Sequence, residues 1–160
     1  EEATAADLWR VQLRMADGIF VTLLRPASWL LDNSVKLGHE LGDALRSWCN
    51  PLGEDRTDSY FDLGLLEAIV NGYASGAKSF ITVEEREFLI TAALRVTVQL
   101  AARFAADIVN QSYFRYDPSR FPSRAAHNQV RAMGQLSLAQ SIAAQRRQAE
   151  SLVTSAFAVA

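Results

Sequence analysis

Arg103 and Asp107 are the side chains whose spacing most invites chemistry. Steps of seven, four, three and four residues place Leu89, Val96, Leu100, Arg103 and Asp107 on one stripe of a helix. Two opposite charges on an otherwise apolar stripe are unfavourable unless they pair or face a polar cavity. One account is an i, i+4 ion pair that knits helices together; the other is a donor reaching into a substrate pocket. Spacing alone favours the structural account.

The remaining reactive side chains point to less. Neither His39 nor His127 has a second histidine or a carboxylate at metal-ligand spacing, so no metal site is expected there. His127, followed by Asn128, reads as a helix-start residue that bonds its neighbour or a nearby carbonyl. Cys49 is the single cysteine, which excludes an internal disulfide and suits a reducing compartment. With no base identifiable beside it, it reads as a small buried hydrophobe rather than a nucleophile. Gln145-Arg146-Arg147 is a solvated face, too short for a nucleic-acid patch.

The elements that must position these residues are mostly helices. At 160 residues, with 49% apolar and 21% charged residues, the chain is long enough for one domain with a real core. Its net charge of −2 gives no reason to expect nucleic acid or an acidic membrane as partner. The longest apolar runs considered, such as residues 18–24, fall short of the ~20 residues that a membrane span needs. Glu1 and Glu2 stand where a signal peptide would be basic, so the cytoplasm is the expected location.

Residues 3–16 read as a helix with Leu8, Val11 and Met15 on one stripe. Gly18 breaks it, residues 19–24 have strand composition, and Pro26 closes them, with a second extended piece around 29–31. From Gly42 the helical signal dominates. Asp62 caps a helix whose apolar positions are Leu65, Leu66, Ile69, Val70 and Tyr73, ended by Ala74-Ser75-Gly76. Thr82-Val83-Glu84-Glu85 is a capping box for a helix running to about Asn110. A last helix begins near Ser123 and passes Gln145, with Val130, Met133, Leu136 (or Leu138) and Ile142 inward; residues 151–160 are expected to fray. The fold class is mainly α, one helical domain over 1–160, with at most a short β-hairpin near residues 18–32.

Several motifs in this order resemble one family. Leu41-Gly42-Asp43-Ala44-Leu45-Arg46-Ser47-Trp48-Cys49-Asn50-Pro51-Leu52-Gly53-Glu54-Asp55 is similar to the segment after the metal-binding loop of the aminoglycoside/choline-kinase-like phosphotransferases, in the N-acetylhexosamine-kinase branch. Asn71-Gly72-Tyr73 and the Thr82 cap follow. Arg103-Phe104-Ala105-Ala106-Asp107 with Asn110-Gln111-Ser112-Tyr113-Phe114 looks like the family's Arg-Phe-x-x-Asp helix end and Tyr-Phe turn. His127-Asn128-Gln129-Val130-Arg131-Ala132 looks like the start of its last helix. The resemblance covers residues 38–142 and implies the helical C-terminal lobe of a protein-kinase-like fold over 38–145, with 146–160 as helix end and tail. It also implies a sugar-like substrate held by Arg103 and Tyr113, with Asp107 beside them, because a guanidinium fork and a phenol give directional donors. Asp43 and Arg46 then form a structural ion pair beneath the active-site loop, with His127 and Asn128 structural.

In the intact family ATP and magnesium take part, and phosphoryl transfer rests on positioning and charge neutralisation. This chain shows no Gly-rich phosphate loop. Ala6-Asp7-Leu8-Trp9 is similar to the catalytic-loop pattern Gly-Asp-Leu-x, which would make Asp7 the catalytic base. Ala5 and Ala6 replace the His and Gly, however, and Gln12 replaces the metal-binding Asn. Asp32, the nearest candidate for the metal Asp, lies one position off a simple alignment. Gln12 is longer than Asn by one methylene, which matters for an ion that demands octahedral geometry. Residues 1–37 are thus a remnant or replacement of the catalytic-loop region, and neither ATP nor magnesium is expected to bind this chain well. The resemblance implies an acceptor-binding part, inactive alone, with a missing N-terminal kinase lobe as one candidate partner and self-association as the other. The alternative is a helical interaction module, or a degenerate kinase remnant, that self-associates or packs on a partner through Trp9, Trp29 and residues 19–24.

Overall fold

The computed structural model describes residues 33–77, 79 and 81–159, with only the backbone course given for 33–38 and 159. The expected helix over 3–16, the hairpin near 18–32, and Asp7, Gln12 and Asp32 lie outside the described residues. Within them the protein is mainly α: helices α1 (Asn33–Trp48), α2 (Leu63–Ala77), α3 (Val83–Asn110), α4 (Arg124–Ala144) and α5 (Arg146–Val159).

The long α3 is the spine and packs extensively against both α1 and α4, while α5 lies on α2. Its start is built as local chemistry dictates. Thr82 Oγ1 accepts the Glu85 amide (3.2 Å), and the Glu85 carboxylate takes the Thr82 amide (2.7 Å). Asp62 likewise caps α2, its Oδ1 accepting the Leu65 amide at 2.9 Å. Leu66 and Val70 of α2 and Leu89, Ile90 and Ala93 of α3 meet Leu138 and Ile142 of α4 in one core. By length and composition α3 could cross a membrane, which apolar runs in the sequence did not suggest, but much of its apolar window is buried within this bundle.

Three features differ from the expected elements. Helix α1 is already formed at Asn33, well before Gly42, and Gly42 lies hard against α3. A Cβ there would come within 2.7 Å of the Ala92 backbone carbon and the Ala93 nitrogen. The inward side of α4 is not its apolar stripe. Met133 and Leu136 are 51% and 54% exposed, while His127, Asn128, Gly134 and Gln135 are buried beside Leu138 and Ile142. Finally, the last helix does not run through Gln145, and the described tail, residues 146–159, is a helix of its own. Gln145 leaves helical geometry (φ −100°, ψ 8°), and its side-chain amide donates to the Phe61 carbonyl and Ser141 Oγ, both at 2.9 Å. The chain turns there into α5, which buries Ala149, Val153, Ala156 and Phe157 in the core.

Candidate functional site

The C-terminal end of α3 shows what Asp107 does. Gln111 adopts the left-handed conformation (φ 49°) and returns its amide to the Asp107 carbonyl. The chain then curls so that three successive amides aim at the Asp107 carboxylate. Ser112 and Tyr113 donate to Oδ1 (2.9 and 3.0 Å), and Phe114 donates to Oδ2 (2.9 Å). The Asn128 side-chain amide adds a fourth bond to Oδ2 at 2.9 Å. Burial by itself would raise the Asp107 pKa, but bonds from Phe114, Tyr113, Ser112 and Asn128 hold it below the ordinary carboxylate value. The resemblance implied Asp107 beside a substrate; the structure turns its carboxylate to its own loop and to Asn128. At 3% exposure, with four donors on two oxygens, it organises the loop and ties α3 to α4.

Arg103, one turn earlier, has a different task. Its Nη2 donates to the Tyr113 hydroxyl at 3.1 Å, and the guanidinium lies over the Tyr113 and Phe114 rings, 5.2 and 5.3 Å from their centroids. It opens onto a cleft of about 500 Å³. His39, Asp43 and Arg46 come to this cleft from α1, and Glu54 from the following loop; Gln99, Arg103 and Phe104 come from α3. Phe114, Arg115 and Arg131 complete the wall, and Tyr113 stands outside it as the partner of Arg103.

Most of the charge in the cleft is internally balanced. Arg46 is buried, placing Nε and Nη2 on Asp43 Oδ1 (2.9 and 2.8 Å) and Nη1 on Glu54 Oε1 (2.8 Å). The expected Asp43–Arg46 pair therefore exists and gains Glu54 as a third member. Arg131 donates through Nε to Asp55 Oδ1 (2.8 Å) and through Nη1 to the Arg115 carbonyl (2.9 Å). Asp55 also binds His127 Nε2 (2.6 Å) and Arg120 Nη1 (2.8 Å). The Asp117 amide donates to His127 Nδ1 (3.2 Å), so Nε2 carries the proton toward Asp55. Phe121 stacks on the imidazole at 3.7 Å. Burial would raise the Asp55 pKa, yet the bonds from His127 and Arg131 keep it low.

Asp55 and Glu54 carry more of the site than their place in the sequence motif suggests. The signal was the acidic pair after Asn50-Pro51; what was missing was its partners, 72 and 76 residues downstream for His127 and Arg131. His39 at the cleft edge is held toward its neutral form by burial, with Asp43 and Gln99 opposing that. Cys49 is fully buried and its thiol is pushed up to about 12, which removes it as a nucleophile. Among the described residues no group of three or more His, Cys, Asp or Glu side chains could hold a metal ion. A helical domain with an arginine-lined, partly charge-balanced cleft is the class that fold and site define. No protein-family model and no curated protein matches the chain.

Proposed function

We propose that this chain is the acceptor-binding C-terminal part of an ATP-dependent phosphotransferase acting on a sugar or amino-sugar hydroxyl, and that alone it binds the acceptor without turnover. The observation that carries this reading is the convergence of its separated motifs. Residues 43–55, 103–114 and 127–131 meet around one cleft, with Arg103 held by Tyr113 and Arg46 bridging Asp43 to Glu54. Arginine forks supply donors and the two carboxylates supply acceptors, the mixture that a polyol with several hydroxyls requires.

Titration calorimetry of the 160-residue chain against a panel of hexoses and hexosamines, and against ATP, tests the reading. Heat with at least one sugar, abolished by Arg103→Ala, is the expected result; silence with every sugar, neutral, amino or acidic, removes the pocket. A second reading, a helical module that self-associates, is favoured by one separate observation. Trp48 is 60% exposed beside an apolar groove between α1 and α2.

A further inference from the structure

Among the described residues, the cation of this cleft whose side chain has no partner is Arg115. Arg46 is matched by Asp43 and Glu54, and Arg131 by Asp55. Among the described residues the Arg115 guanidinium makes neither an ion pair nor a hydrogen bond, although the side chain lines the cleft. Its backbone, by contrast, is fixed. The Arg115 carbonyl accepts Arg131 Nη1, and the amide of the preceding Phe114 is bound to Asp107. The chain as a whole carries a charge of −2, so this local positive surplus is not a by-product of general basicity.

We propose that the acceptor held here carries a carboxylate, as a hexuronate does, and that Arg115 selects it. The inference rests on the acceptor-binding reading above and names the substrate class within it. A neutral sugar would leave Arg115 to water, since a guanidinium only donates. A carboxylate takes two parallel N–H bonds from such a fork, and a lysine could not reproduce that geometry. Asp43 and Glu54 keep acceptor oxygens at the same cleft for the sugar's hydroxyls. The Arg103 fork stands on α3 as a second donor.

The test is calorimetry on the full chain at low salt with glucuronate and galacturonate beside glucose, galactose and glucosamine, and with acetate as a plain anion. The uronates are expected to bind about tenfold tighter than the matching neutral sugars, an advantage that shrinks as added salt screens the charge. Arg115→Ala should bring each uronate down to the level of its neutral counterpart with the thermal melt unmoved. Arg115→Lys should restore only part of the preference. Equal binding of neutral and acidic sugars, or a preference that survives Arg115→Ala, overturns the carboxylate assignment and leaves the acceptor reading standing. Acetate competing as well as the uronate also overturns it, as anion binding without sugar recognition. Silence with every sugar, acidic or neutral, removes the acceptor reading and this inference together.

Discussion

Asp107 fills both carboxylate oxygens with donors from its own chain, and the consequences of losing it can be worked out. Replacing it with Ala leaves three backbone amides and the Asn128 amide without their acceptor. A buried donor left unmet costs about 1–3 kcal/mol, and water can reach part of this loop, so Asp107→Ala should destabilise by about 3 kcal/mol or more in urea denaturation. The acid response follows from the same bonds. Asp107 and Asp55 both ionise below their unfolded value of 3.8, so their contribution is complete above that value and is lost as pH falls through the lower, folded one. Stability should therefore drop steeply below about pH 4. Asp107→Asn should flatten that drop while lowering stability at pH 7. Denaturation midpoints at pH 7, 4 and 3 measure both, and an unchanged acid limb in the variant would show that Asp107 is not the titrating group.

Helix α4 shows why some elements are legible in sequence and others are not. The capping box and the length of α3 rest on contacts within a few residues, so Thr82, Glu85 and Asn110 mark them plainly. The inward face of α4 rests instead on partners far along the chain. His127 bonds Asp55 and the Asn128 amide nitrogen bonds Asp107, which helps to hold these two polar residues inside where hydropathy places Met133 and Leu136. The bend at Gln145 has no Gly or Pro to announce it, because a side-chain bond to the Phe61 carbonyl, 84 residues away, sets it. Two glycines test the packing with opposite signs. A Cβ at Gly134 would fall on the Arg56 carbonyl oxygen, so Gly134→Ala should cost about 1–3 kcal/mol and loosen the 49–62 loop. Gly72, inside α2, has open space around its would-be Cβ, so Gly72→Ala should stabilise by about 0.5–1 kcal/mol through helix propensity alone. Chemical denaturation of the two variants separates a steric contact from a propensity effect.

On the scale of the whole molecule, the two sides of α1 face different fates. One side packs on α3 through Gly42, and its polar residues Asp43 and Arg46 open onto the cleft. Toward α2 it leaves an apolar groove of about 290 Å³, lined in part by Leu41, Trp48, Ile69 and Tyr73. An indole largely in water beside such a groove is unfavourable for a monomer at high concentration, since burying apolar area gains about 25 cal/mol per Å². A second copy is the simplest cover, and a two-fold arrangement would bury both indoles at once. Size exclusion with light scattering across a hundredfold range of concentration should then show dimer growing with protein, and Trp48→Ser should return it to monomer with the fold intact by circular dichroism. Because Trp48 lies away from the residues lining the arginine cleft, the same variant should bind sugar as the parent does. A monomer at every concentration would count against the self-associating module and leave the cleft as the molecule's working surface.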